Sequence, residues 1–462
     1  MKTITLFAAA MLFVNVANAD VYYVVPGGAG NATGADWDNA ADLTTATLAL
    51  GSVGDEFWVK KGVYQNYISY TDRIVYGGFD GTETSLTQRD WAKNQTVLQG
   101  SANATTSLVI LQNATIQTVL DGFIIQDNHV ETSGQNGGGI QMNERCVTRN
   151  CIVRNNSSIS TANVGGGIFV CGALVGGVYP VIENCLVINN VAANNGGGIQ
   201  VSASKACLLV NSTVANNWIN KADGTAGSGY GCGVGMPPTI ELIAKNSIVY
   251  NNKKSDGAGG TLTFSFGANA GANNNTISTI LNCAYDAINV GSGTQNGVVF
   301  TSKTACIDDL SSVKTPGFTL PTSFAGNSSS PSELAEFDAA DYRLLSTSVC
   351  IDVGNNAAAS GITKDLANSN RIFNSTVDMG AYEYSPNTGI GFIASAAWRC
   401  SAANGALTVS GLNKGDAVAV YDLSGRTVGA GRATGSQLKI GGLSKGVYLV
   451  KLNGKTQKVI CK

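Results

Sequence analysis

The sequence predicts an all-β chain: a right-handed parallel β-helix followed by a small C-terminal β-sandwich. Three observations carry that expectation. A Gly-Gly-Gly-Ile phrase at 137–140, 165–168 and 196–199, with Gly231-Cys232-Gly233-Val234 as a looser copy, alternates with a second phrase. The second phrase is Asn150-Cys151-Ile152-Val153-Arg154-Asn155-Asn156, repeated from Asn184, Asn211 and Asn246. Its closing Asn pairs recur after 34, 27 and 35 residues, a fixed order with variable spacing that marks a solenoid. Finally, the last 58 residues hold short alternating apolar runs separated by Gly turns, the pattern of a small sandwich.

Taken in order, Met1 to Ala19 has Lys2, an apolar run from Ile4 to Val16 and a small-residue cleavage site at Ala17-Asn18-Ala19. It reads as a signal peptide, too short for a membrane span. Residues 20–100 read as a cap over the open strand edges at the start of the solenoid, with a strand at Val21-Tyr22-Tyr23-Val24-Val25 and a short helix from Asn39 to Leu50. Residues 101–385 form the β-helix proper, 386–404 a linker, and 405–462 the sandwich.

Within a coil, side chains alternate along each strand. Cys151, Cys185, Ser212 and Ser247 therefore share the interior face with Val153, Val187, Val214 and Val249, while Arg154, Ile188, Ala215 and Tyr250 point outward. Asn150, Asn184, Asn211 and Asn246 stand where the coil bends, suited to unusual backbone angles and to amide bonding from coil to coil. The Gly triplets mark corners that admit no side chain. Between Ser255 and Pro331 the pattern weakens, with Ile277 to Cys283 as a degraded coil.

Charged residues are only 13% of the chain, and the mature protein carries a net charge near −3. That mean conceals a C-terminal segment of +8 from Pro386 onward and a body of −11, which marks a domain boundary. Nothing in the charge pattern indicates nucleic-acid binding. The 11 cysteines lack metal-site or redox spacing and read as buried thiols; a disulfide between neighbouring coils also meets the distance requirement.

Several motifs carry resemblances. Asp55-Glu56-Phe57-Trp58-Val59, Gly77-Gly78-Phe79-Asp80-Gly81, Gln88-Arg89-Asp90-Trp91 and Leu120-Asp121-Gly122-Phe123 resemble the opening of secreted bacterial β-helices related to polymorphic outer-membrane proteins. Asp341-Tyr342-Arg343-Leu344, Ile351-Asp352-Val353-Gly354-Asn355 and Val377-Asp378-Met379-Gly380-Ala381-Tyr382-Glu383 resemble the terminal signature of choice-of-anchor proteins, which closes the β-helix. Val349-Cys350 departs from it, where a Ser-Pro-Ala-like run is usual.

The tail resembles the type A C-terminal sorting domain of type IX secretion through Val420-Tyr421-Asp422-Leu423-Ser424-Gly425-Arg426 and Gly442-Leu443-Ser444-Lys445-Gly446-Val447-Tyr448. This resemblance implies contact with the type IX machinery, export, removal of the tail near 386–404 and anchorage of the remainder at the outer membrane.

No residue is assigned a catalytic, cofactor or metal role. The single histidine, His129, reads as a solvated loop residue and excludes a relay assembled with a spare His. Arg149 and Glu183 are expected to pair across coils. Asp308-Asp309 and the group Glu333, Glu336, Asp338 and Asp341 lack the ligand spacing of an EF-hand; Ca²⁺ is conceivable there but unsupported. The functional expectation is an exported surface protein that binds a polysaccharide or host surface, adhesin-like, with no transmembrane segment in the mature chain. The alternative is a polysaccharide lyase or another carbohydrate-active enzyme on the same scaffold.

Overall fold

The computed structural model describes residues 19–202, 205–219, 229–237, 240–256, 260–268, 277–290, 300–386, 399–403, 406–410, 412, 414–422, 425–444, 446–452 and 455–461. Residues 1–18, read above as most of a signal peptide, and most of the stretch read as a linker lie outside them. The chain forms two compact units, one of residues 1–328 and 342–384, the other of 329–341 and 385–462. Each is described by itself.

The first unit is a parallel β-helix. One coil visits four sheets in turn: Ile140–Met142 in the first, Val147–Arg149 in the second, Ile152–Arg154 in the third and Ser157–Ser158 in the fourth. Among the described residues these sheets hold eight, ten, eight and six strands. The pairing is parallel and in register from coil to coil, Val153 facing Ile125 on one side and Val187 on the other. An antiparallel strand, Thr261–Thr263, ends the fourth sheet. The ladders begin before residue 101, because Glu56–Lys60, Gly62–Tyr64 and Ile68–Thr71 already occupy the second, third and first sheets. In front of them, Val21–Val24 pairs in parallel with Glu56–Lys60, and a helix, α1 (Thr45–Leu50), packs beside Ile68–Thr71. That helix is shorter than the sequence suggests: Ala41 bridges Val24 as extended chain, and the Thr44 hydroxyl accepts from the Thr47 N–H to start the helix.

The interior follows the expected alternation. Tyr64, Leu98, Ile125, Val153, Val187, Val214, Val249 and Tyr285 stack in one buried column through the third sheet. At each first bend Asn150, Asn184, Asn211, Asn246 and Asn282 adopt φ of +45° to +54°, a left-handed conformation that Asn tolerates better than other side-chain-bearing residues. At the corner before the first sheet, Gly137, Gly165, Gly196 and Gly231 have φ of +63° to +79°. A Cβ on the following Gly166 would lie 2.4 Å from Val191 backbone atoms, so no side chain fits there.

At the first bend the expected amide bonds join coils two by two, Asn184 to Asn150 at 2.6 Å and Asn246 to Asn211 at 3.3 Å, and the longer amide ladder is elsewhere. It runs one strand later, through the second Asn of each closing pair. Asn156 Nδ2 donates to Asn190 Oδ1 at 3.0 Å, Asn190 to Asn217 at 3.0 Å and Asn217 to Asn252 at 2.8 Å, all fully buried. Each amide also donates to a carbonyl of the coil below, as Asn190 does to Val153.

The outward-pointing side chains of the third sheet are not all open to solvent. Ile188 and Ala215 are only 1% exposed, because the chain after residue 310 folds back over the outer face of the third sheet. Residues 311–328 run along the second bend. Asn216 donates to the Thr322 carbonyl, Asn189 to the Phe324 carbonyl and Asn155 to the Ser328 carbonyl. Residues 349–384 run along the first bend, with Asn282 donating to Val353 O, Asn246 to Asn355 O and Asn184 to Lys364 O. The segment carrying the terminal signature thus lies lengthwise on the stack as a clasp. Ile248, Ala284, Leu310, Leu344, Cys350 and Met379 form a second apolar layer beneath it.

The second unit contains α2 (Pro331–Ala339) and two antiparallel sheets of three and four strands. Leu407, Val409, Val418, Val420, Ile440, Tyr448 and Val450 pack between these sheets, making the expected sandwich. It starts earlier than residue 405. Arg399–Ala403 pairs with Ala406–Ser410, so part of the stretch read as linker is a strand. Asn404-Gly405 between the two is the sequence signal for that hairpin.

Candidate functional site

The outer face of the second sheet carries a row set by register: Tyr76, Asp121, Arg149 and Glu183. Asp121 is 1% exposed and bonded from three directions, by Arg89 at 2.6 Å, Arg149 at 2.5 Å and the Asn150 amide at 2.8 Å. Burial alone would raise its carboxyl, but the two guanidiniums and the amide outweigh that and hold it below the usual range. The Arg89 guanidinium also lies over the Tyr76 and Trp91 rings, at 4.7 and 4.8 Å. Arg149 therefore makes its ion pair with Asp121, and not with Glu183 as expected from the sequence. Glu183 stands in register on the other side, pushed up by burial, with Arg149 offsetting part of the rise.

A second polar cluster holds the clasp together. Asp352, Asp378 and Glu383 bring carboxylate oxygens within 4.8 Å of one another, the only such grouping of possible metal ligands among the described residues. Their oxygens are engaged by the protein itself. Asp378 accepts from the Asp352 and Tyr384 N–H groups, Glu383 from the Phe373 and Asp378 N–H groups and from Arg371 at 3.1 Å, and Asp352 from the Asn374 amide. Burial pushes Asp378 up to about 6 and Glu383 up to about 7. The arrangement is that of a staple: it pins residues 352, 373 and 384 to one point. Sequence reasoning did not single out this trio, because its members are separated by 26 and 5 positions and meet only through the fold-back.

A polar hollow of about 310 Å³ lies beside the first coil, lined by Asp80, Glu83, Asp90 and Lys93 among others. Its acids shape the loop. Glu83 receives the N–H groups of Asp80, Gly81 and Thr82, Asp90 those of Ala92 and Lys93, and Asp80 pairs with Lys61.

The residues considered from the sequence are dispersed. His129 lies in a two-residue strand, not a loop, with Nδ1 3.0 Å from Ser157 Oγ and 3.3 Å from Asn327 Nδ2. Burial lowers its pKa. Arg154 Nε donates to Gln126 at 2.9 Å. Asp308 pairs with Lys303, and Asp309 with Lys314 at 2.5 Å. Glu333, Glu336 and Asp338 belong to α2, and Asp341 opens the strand Asp341–Leu344.

The outer face of the first sheet presents a different chemistry. Gln141 faces Ile110 on one neighbouring coil and Phe169 on the other, and all three are partly exposed. An apolar edge, a primary amide and an aromatic ring thus stand on successive rungs about 4.8 Å apart.

In the sandwich, the sequence motifs build the strands and a turn. Ala417–Asp422 forms the centre of the four-stranded sheet between Thr427–Arg432 and Gly446–Leu452. Asp422 fixes the turn by accepting the Arg426 N–H at 3.0 Å and the Arg426 Nε at 3.1 Å. Tyr448 hydroxyl donates to the Ser444 carbonyl at 2.9 Å.

Residues 402–462 match the family model described as the secretion system C-terminal sorting domain. No curated protein matches the chain. Among the described residues no helix is long and apolar enough to cross a membrane. The sorting domain implies engagement of the type IX secretion machinery, so this chain, a parallel β-helix joined to a type IX sorting domain, is a secreted or cell-surface protein.

Proposed function

We propose that the exported β-helix is an adhesin-like binding protein, which takes a polysaccharide or another surface ligand along its stacked coils and stays anchored at the outer membrane after type IX secretion. The row Ile110, Gln141 and Phe169 on the first sheet carries the reading. A ring face offers apolar contact to a sugar ring, and the neighbouring amide offers both donors and an acceptor to its hydroxyls. The rungs are held by ladders on both sides, so the row is presented at fixed spacing with little ordering cost on binding. A sorting tail that exports the solenoid supports presentation of such a row outside the cell.

A glycan array probed with residues 20–385 tests this. Phe169→Ala and Gln141→Ala are each expected to weaken the bound signal at least tenfold while leaving the melting temperature within about 2 °C of the parent, as surface changes do. Absence of glycan or cell-surface binding by the parent protein overturns the proposal.

A further inference from the structure

The interior column behind the first Asn bend reads Cys151, Cys185, Ser212, Ser247, Cys283 and Cys306, one residue per successive coil. The strand registers on both sides fix this order: Arg149, Glu183, Val210, Lys245, Leu281 and Thr304 pair two residues earlier, and Ile152, Leu186, Thr213, Ile248, Ala284 and Ile307 pair one residue later. Two cysteine pairs are thus stacked on adjacent coils, with two serines between them. All four are free thiols in the structure.

The two pairs differ in access. Cys151 and Cys185 are both fully enclosed in the middle of the stack. Cys283 is also enclosed, but Cys306 sits on the last rung of the column and is partly exposed. Its Sγ lies 3.7 Å from the Ile280 carbonyl, so it leans toward the coil that carries Cys283. Backbone bonds clamp the two coils on either side of the pair, Asn282 N–H to Thr304 O at 3.0 Å and Ile307 N–H to Cys283 O at 2.9 Å. Parallel strands about 4.8 Å apart fall inside the Cα separation that a disulfide spans. The last rung also has a weakness. Its bend uses Ala305 at φ +51°, where the coils below use Asn, and Ala is ill suited to that conformation.

We propose that Cys283 and Cys306 are oxidised to an inter-coil disulfide that locks the last rung onto the stack, in the compartment to which the sorting domain delivers the chain. The oxidant is a disulfide, either a small-molecule disulfide such as glutathione disulfide or a protein one. The Cys306 thiolate attacks one of its sulfurs and displaces a thiolate, giving a mixed disulfide. Cys283 then loses its proton to the released thiolate and attacks Cys306 Sγ, expelling a second thiolate, which takes from solvent the proton that Cys306 gave up. Two protein thiols are oxidised, and one disulfide is reduced to two thiols. Burial raises both thiols, Cys283 to about 12, and the partly exposed Cys306, the only one of the pair that solvent reaches, begins the exchange. Cys151 and Cys185, equally spaced but enclosed, stay reduced in the folded protein.

The test treats the purified, reduced, folded full chain with glutathione disulfide, alkylates it in denaturant and digests it without reductant. Mass spectrometry is expected to find a peptide pair joining Cys283 to Cys306, two hydrogens lighter than the sum, with Cys151 and Cys185 both alkylated. Oxidation should raise the melting temperature by several degrees, and Cys306→Ser should abolish both the linked peptide and that rise. Alkylation of both Cys283 and Cys306, or a stable glutathione adduct on Cys306 alone, overturns the proposal. The compartment is tested separately on protein recovered from cells. Free thiols in surface-located protein contradict the proposal, whereas free thiols in protein that fractionation finds inside the cell count against the export reading instead.

Discussion

Asn190 donates its side-chain amide to Asn217 Oδ1 at 3.0 Å, with both residues fully buried and each also bonded to the backbone of a neighbouring coil. This relationship repeats from Asn156 to Asn252 and turns four separate bends into one polar spine. Removing a member leaves the amides and carbonyls above and below it unpaired away from water.

Asn217→Ala is therefore expected to destabilise residues 20–385 by about 2–4 kcal/mol. The exposed Asn103→Ala should change stability by less than about 0.5 kcal/mol. Urea denaturation of the two variants compares them directly, and equal midpoints contradict a spine that stabilises the stack.

The clasp makes a second claim. Val187 faces the interior column and Ile188 faces the fold-back segment, and both are almost wholly buried. Val187→Asp and Ile188→Asp should each cost several kcal/mol, since either carboxylate enters an apolar layer unpaired. Thermal melts check this; a near-parental melting temperature for Ile188→Asp would mean that its outer face is open.

The staple within the clasp should respond to pH. Glu383 and Asp378 titrate at about 7 and about 6 in the folded chain, above their ordinary values of 4.5 and 3.8. The folded form thus holds protons that the unfolded form has released, and the contribution of these two groups to stability falls as pH rises between about 4 and 7. The contribution is complete at the acid end of that window and lost above it. Melting temperature followed from pH 5 to pH 8 should decline, and Glu383→Gln, which keeps no titrating proton, should flatten the decline. A parent protein that gains stability over this range contradicts the assignment.

The enzymatic alternative has its own check. Residues 20–385 incubated with Ca²⁺ and uronic-acid polymers are expected to release no unsaturated sugar ends, measured by ultraviolet absorbance. Turnover that disappears in Arg154→Ala would replace the binding reading with a lyase.

Much of this architecture was legible in the sequence. The phased Gly and Asn phrases defined the coil, and alternation placed Val187 inside. Alternation also placed Ile188 on the outer face, where it stands, but side-chain period says only which face a residue is on, not whether distant chain covers that face. The clasp residues that cover it are 100 or more positions away and lack the repeat. The Asn184 bend makes the amide bond to Asn150 that its repeat suggests, but the repeat does not distinguish the longer column through Asn190, because both stand at bends and only the fold shows which amide points inward. The pairing of Arg149 with Asp121 likewise depends on Arg89 arriving from the first coil, a contact no local spacing announces.

The central claim is that the sandwich addresses the β-helix to the cell exterior. Its most direct test deletes residues 399–462 and follows the remainder by fractionation and by protease accessibility on intact cells, in a host with type IX secretion. Solenoid contacts run between neighbouring coils, so the shortened chain should remain folded. It is expected to accumulate in the periplasm, protected from added protease, while the full chain reaches the surface. Truncated protein found outside the outer membrane of intact cells would contradict the account.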